Sequence, residues 1–137
     1  MTMTVIDALR HALTSGDPTA AASLFAEDAV LHSPAVISVD YTGREQVGRI
    51  AGFSAQVLGD IRFTDELHSA DQGTHALIFE GTVAEQPAQG VLYLGTRDDR
   101  IAEITLLLRP LRAVEAFVRA MGTRGAQPAV DFAAGIQ

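Results

Sequence analysis

From Ile61 onward the apolar residues of this chain recur at every second position rather than every third or fourth, and that change of period constrains the fold most strongly. Ile61, Phe63 and Leu67 alternate with Arg62, Thr64, Glu66 and His68. Turn signals follow at Asp71-Gln-Gly-Thr74, at Gln86-Pro-Ala-Gln-Gly90 and at Arg97-Asp-Asp-Arg100, and they separate stretches 76–84, 91–96 and 101–109. Tight turns joining successive strands predict an antiparallel meander.

Before Ile61 the pattern is helical. Thr4 is placed to cap a helix, with Asp7 as its reciprocal partner three residues on. Val5, Leu9, Ala12 and Leu13 keep helical spacing until Gly16. Asp17-Pro18 restarts a helix, with aspartate as cap and proline at the first helical position, and this helix is expected to carry Ala21, Leu24 and Phe25. Residues 29–33 read as a short strand ending at Pro34, and 36–41 as a second extended piece. Thr42-Gly-Arg-Glu45 has the capping-box pattern and predicts a third helix with Val47, Ile50, Phe53, Ser54 and Val57 on one face, stopping near Gly59. Pro110 predicts the start of a last helix with Leu111, Val114, Phe117, Val118 and Met121 inward and Gly122 at its end. A single domain over residues 1–122 is expected, followed by a loose tail over 123–137.

Composition removes whole classes of chemistry. The chain has 137 residues and no cysteine, which excludes disulfides, thiolate metal sites and a catalytic thiol. All ten basic residues are arginine, so neither a phosphate-loop lysine nor a Schiff-base lysine exists. A net charge of −7 disfavours nucleic acid as a partner. No apolar run approaches the roughly 20 residues of a membrane span, and no basic-then-apolar leader opens the chain, so a soluble cytoplasmic domain is expected. The four histidines lack ligand spacing, so no metal site is expected, and no cofactor motif appears.

The last two strands are apolar on both faces: Val91, Leu92, Tyr93 and Leu94, then Ile104, Leu106, Leu107 and Leu108. An antiparallel sheet with one wet face would alternate. Either these strands are buried on both sides within one chain, or a second copy covers the outer side; a homodimer through the sheet face is the expectation.

The order helix, helix, strand, helix and four-strand meander resembles the nuclear transport factor 2-like superfamily, and more closely its SnoaL-like branch, which includes polyketide cyclases, limonene epoxide hydrolase and ketosteroid isomerase. The resemblance is carried by Leu24-Phe25-Ala-Glu-Asp-Ala-Val30, Pro34, Tyr41-Thr-Gly43, Phe63-Thr64 after the third helix, Arg100-Ile101-Ala-Glu-Ile-Thr105 and Arg109-Pro-Leu111, and it spans roughly residues 4–122. It implies a cone-shaped α+β fold, a cystatin-like roll in which a curved antiparallel sheet packs on a long helix behind an N-terminal helix pair. It also implies an apolar cavity, lined here by Phe25, Phe53, Phe63, Leu92, Leu94, Leu106 and Leu108, that takes a small apolar molecule.

Active members of this branch use carboxylates inside the cone, since an apolar pocket raises a carboxyl pKa toward neutrality. One such carboxylate belongs to a glycine–apolar–aspartate stretch entering the penultimate strand; here that stretch reads Gly90-Val91-Leu92, and leucine moves no proton. Asp65 shares the apolar phase of its strand and is the remaining candidate base, unless a bulge turns it to solvent. His32, ending the first strand, is a candidate proton shuttle at the cavity mouth. Tyr41 is a candidate hydrogen-bond donor to a ligand oxygen. Glu80 is expected on the outer face, paired with Arg62 or Arg97, while His68 is expected outside and His75 at the surface. These features favour a domain that binds a small apolar ligand without efficient catalysis. The alternatives are an isomerase, cyclase or epoxide hydrolase with Asp65 as base, and a structural dimerisation module.

Overall fold

The structure is a computed structural model that describes residues 3–34 and 40–123. Its elements are α1 (Val5–Ser15), α2 (Pro18–Ala22), β1 (Phe25–His32), β2 (Asp40–Thr42), α3 (Arg44–Val57), β3 (Leu58–His68), β4 (Thr74–Val83), β5 (Gln86–Arg97), β6 (Arg100–Arg109) and α4 (Leu111–Gly122). The strands form one curved six-stranded sheet in the order β2-β1-β6-β5-β4-β3. Neighbours are antiparallel except β1 and β6, which run parallel through Leu31 opposite Ile104 and His32 opposite Thr105. The expected α+β roll is therefore present.

The N-terminal caps form as their residues dictate. Thr4 and Asp7 make the reciprocal capping box of α1, Gly16 closes it in the left-handed region, and the Asp17 side chain accepts from the Ala20 amide at the start of α2. Each such cap contributes about 1 kcal/mol. Leu24 and Phe25 do not belong to α2: its last residue is Ala22, and Phe25 already pairs with Ile101 in the parallel ladder. The capping box expected from Thr42 and Glu45 is also absent. Gly43 is the cap residue, at φ 92°, and the Thr42 amide instead donates to the Gln46 side chain.

Strand alternation gives the sheet two distinct faces. Leu77 and Phe79 of β4, Leu92 and Leu94 of β5, and Ile104 and Leu106 of β6 point inward and are buried beneath α1, α3 and α4. Ile78, Val91 and Thr105 are half-buried on the opposite face, where Tyr93 is 47% and Leu107 54% exposed. The two-sided apolar strands are therefore not covered on both sides within one chain. The Arg62–Glu80 ion pair lies on this same outer face, as the sequence suggests, while Arg97 pairs with Asp28.

Two turns settle the meander. The β4–β5 hairpin turns at Ala84 and Glu85 (φ 47° and 69°), and β5 runs straight through Pro87 opposite Thr82; the proline-and-glycine signal at 86–90 marks a strand rather than a turn. Hairpin twist is matched by two consecutive left-handed residues, whatever their type. The β5–β6 hairpin turns as expected, at Asp98 and Asp99. In α4, Ala113, Phe117, Val118 and Met121 are buried, whereas Leu111, expected inside, is 57% exposed in the first turn.

Gly90 shows how tightly the interior is filled. A Cβ there would lie 2.5 Å from Phe79 Cζ and 2.7 Å from the Leu107 carbonyl oxygen, so the Phe79 ring occupies the space a side chain would take. Gly90→Ala is expected to lower stability by about 1–3 kcal/mol, the cost of overpacking against backbone, read as a lower urea midpoint at unchanged slope.

Candidate functional site

The curved sheet and the helices above it leave one narrow apolar cavity, of about 30 Å³. Leu92 of β5 and Ile104 and Leu106 of β6 form its floor. Leu9 and Leu13 of α1 form one wall, and Ile50, Ala51 and Ser54 of α3 the other. Leu31, Ser33 and Pro34 lie at the end of β1, and Leu58 and Phe117 complete the lining. These side chains converge because each occupies the inward phase of its strand or the buried stripe of its helix. Among the described lining residues the side-chain oxygens are the hydroxyls of Ser33 and Ser54, and the Ser54 hydroxyl donates to the Ile50 carbonyl at 2.9 Å. No carboxylate, imidazole or phenol stands among the lining residues that the structure describes. Space of this size holds about one or two water molecules.

The model of the SnoaL-like domain family matches residues 6–104. The chain belongs to that family. Its fold is shared with a crystal structure of a steroid delta-isomerase from Pseudomonas aeruginosa, at 27% identity and TM-score 0.81, covering 89% of each chain. An uncharacterized protein with a cystatin-like fold from Silicibacter pomeroyi is similar at 26% identity and TM-score 0.80, covering 90% of this chain and 86% of its own. A protein with a ketosteroid isomerase-like fold from Catenulispora acidiphila superposes at 20% identity and TM-score 0.62, covering 89% and 95%. No curated protein matches the sequence.

Within this SnoaL-like domain, Leu92 and Leu106, two of the seven lining residues named from the sequence, lie in the lining of the cavity. Phe25 and Leu94 are fully buried in the core instead, and Phe53, Phe63 and Leu108 pack against that core, outside the cavity lining. Phe63 meets Phe79 edge to face at 6.1 Å between ring centroids, which absorbs its ring into packing.

The candidate catalytic residues are not brought together. Tyr41 pairs with Leu31, faces inward and is 6% exposed, and burial pushes its phenol pKa up; it belongs to the core cluster and not to the cavity lining. His32 does not enter the mouth. Leu31 takes the inward position, so alternation turns His32 to the outer face, opposite Thr105. There its Nδ1 lies 2.6 Å from Asp40 Oδ1 and its Nε2 3.6 Å from Glu103 Oε2. Asp65 is exposed on the outer face as well. A bulge at Thr64 shifts the pairing from Phe63 opposite Phe79 to Asp65 opposite Ile78, and from that point every side chain of β3 changes side. His32 and Asp65 stand four strand spacings apart, on the order of 19 Å.

The same bulge turns His68 to the inner face, and His75 lies on that face by the unbroken alternation of β4, in phase with Leu77 and Phe79, rather than at the surface. His75 is 6% exposed and faces His68, with the Nδ1 atoms 2.7 Å apart, and Glu66 turns inward to Arg10 of α1. The signal available in sequence was the charged residue at an apolar phase, Asp65, which alternation alone placed inside.

His32 gives the outer face of the sheet a pH signature. Its hydrogen bond to Asp40, opposed by partial desolvation and aided by Glu103, raises its pKa above the usual 6.5. A raised pKa means the folded state binds the proton more tightly, so this contribution is complete below pH 6.5 and is lost as pH rises through the folded value. His32→Gln is expected to flatten stability against pH between about 6 and 8, with the variant losing most at the acidic end. Denaturation midpoints measured at half-unit pH steps check this.

Proposed function

We propose that this SnoaL-like domain takes a small, slender apolar molecule into its cone and performs no acid–base chemistry on it. One observation carries the reading: the cavity is lined by aliphatic side chains and Phe117, with two serine hydroxyls and no titratable group among the described lining residues. An isomerase or cyclase needs a base within hydrogen-bond reach of its substrate. Leu92 stands in the floor where the resemblance implies an acid, and Asp65 is on the far face of the sheet. The steroid delta-isomerase likeness supports the cone, while the lining supports retention of an apolar guest rather than proton transfer.

A cavity of about 30 Å³ is far below the few hundred Å³ of a drug-sized site, so a guest enters by displacing leucine side chains. Short alkanols, cyclohexanol and indole are suitable probes. A guest at ten times its Kd stabilises the fold by about 1.4 kcal/mol, which raises Tm by about 3–6 °C. Leu92→Phe, which occupies the floor, is expected to abolish that rise. If no probe moves the wild-type Tm, guest binding is refuted and the small cavity favours the second reading, a structural dimerisation module.

The partner in either reading is a second copy of the chain. Tyr93 and Leu107, with half-buried Ile78, Val91 and Ala76, make a continuous apolar patch across β4, β5 and β6, and Leu67 extends it to β3 at 61% exposure. A two-fold axis through this patch covers the same residues on both copies, and a cytoplasmic location suits a chain without cysteine. Native mass spectrometry is expected to show a dimer for the wild type and a monomer for Leu107→Asp, because the introduced charge appears twice at the interface.

A further inference from the structure

A second cluster lies away from the cavity, where the end of β3 meets α1. Glu66 Oε2 is 3.5 Å from His68 Nε2, His68 Nδ1 is 2.7 Å from His75 Nδ1, and His75 Nε2 is 3.1 Å from Thr96 Oγ1. Thr96 Oγ1 in turn lies 3.4 Å from the Gln72 carbonyl oxygen. Glu66 Oε1 also forms an ion pair with Arg10 Nη1 of α1 at 2.9 Å, and Arg10 is held from its other side by Asp7.

Counting hydrogens along this chain fixes which protonation states it can hold. The Glu66 carboxylate only accepts and faces His68 Nε2 at 3.5 Å, so a hydrogen is assigned to that nitrogen. With both rings neutral, His68 Nδ1 is bare, His75 Nδ1–H donates to it, and His75 Nε2 accepts from the Thr96 hydroxyl. Adding one proton to His68 reverses the chain. His68 Nδ1–H then donates to His75 Nδ1, His75 Nε2–H donates to Thr96, and the Thr96 hydrogen turns to the Gln72 carbonyl. A second proton has no place: two N–H groups would face each other at 2.7 Å. The geometry tolerates one positive charge on the pair and excludes two.

We propose that Glu66, His68, His75 and Thr96 form an acid-sensitive latch that holds α1 against β3 and releases it when both histidines are charged. β3 is the edge strand of the sheet, so the end bearing His68 moves outward without breaking a ladder on its far side, and it carries Glu66 away from Arg10. The other charged groups facing the pair are Asp7 from α1, Asp71 from the turn before β4, and Asp99 from the β5–β6 turn, whose carboxylate accepts from the Val5 amide at 3.1 Å. Hydrogen bonds hold Asp7 and Asp71 below the ordinary carboxylate range, so both stay charged through the window concerned. Burial, and after it the neighbouring His68, lowers the pKa of His75 below 6.5. A lowered pKa leaves its stabilising contribution intact above 6.5 and removes it as pH falls from there through the folded value. Because α1 supplies Leu9 and Leu13 to the cavity wall, release of the latch loosens that wall.

The latch is tested without any guest, so its failure and the failure of guest binding are separate results. Hydrogen exchange of the α1 amides, measured by NMR from pH 7.5 to 5.5 and corrected for intrinsic rates, reads the opening constant directly. Uptake of one proton on opening raises that constant about tenfold per pH unit as the second ring becomes charged, while amides of β5 stay level. His75→Gln and His68→Gln are each expected to abolish the slope. His68→Gln decides the matter if the buried His75 variant does not fold, since the His68 side chain is one-third exposed. Protection of α1 that is flat with pH in the wild type, or a slope that survives in His68→Gln, overturns the proposal.

Discussion

The inner face of β4, β5 and β6 is a continuous apolar surface, and such a sheet is stable only beneath a cover. Burying one leucine or phenylalanine of that face contributes about 1.5–3 kcal/mol, so the placement of α1, α3 and α4 follows from where Leu77, Phe79, Leu92, Leu94, Ile104 and Leu106 point. The parallel pairing of β1 with β6 then extends the sheet and brings Leu31 into the same layer. Cover is close to complete: Gly90 gives its side-chain space to the Phe79 ring, and what is left between floor and roof is a slot rather than a chamber. In a domain packed in this way, a molecule entering the slot would have to displace leucine side chains for room.

Much of this was legible in the chain. Periods of 3.6 and 2 separate cleanly at α3 and β3, and the caps at Thr4, Asp17 and Gly16 are local hydrogen-bond chemistry that needs no tertiary context. The errors have a common origin: they occur where a long-range partner overrides a local signal. Phe25 has helical spacing from Ala21 but leaves the helix because Ile101 supplies a strand to pair with. Pro87 looks like a turn residue but sits in a ladder whose real turn is at Ala84 and Glu85. Glu45 satisfies a capping pattern that the left-handed Gly43 makes unnecessary. The segment 35–39, which includes part of the second extended piece, and all but Thr123 of the tail expected over 123–137 lie outside the described residues.

The site was legible in its floor and not in its walls. Leu92 and Leu106 follow from alternation in well-registered strands, whereas Leu9, Leu13, Ile50 and Ser54 reach the cavity only through the angle at which α1 and α3 cross the sheet. His32 and Tyr41 are neighbours across β1 and β2 but face opposite ways, because adjacent positions in a pleated pair always do. The two clustered histidine sites also respond to acid with opposite sign, His32 binding its proton more tightly in the folded chain and His75 less so. In the wild type the two contributions partly offset one another in the pH dependence of stability, and replacing one histidine at a time separates them.

The bulge at Thr64 makes β3 behave like a reading frame. In unbroken alternation this strand would present Asp65 and Leu67 to the interior and Glu66 and His68 to solvent; one extra residue exchanges the two pairs. Asp65 on the inner face, and Glu66 with His68 on that face beside α1, are therefore alternatives encoded one residue apart in the same strand. Members of a family that share this sheet can differ in which chemistry faces the cone through a change in strand register alone, with every side chain involved already present.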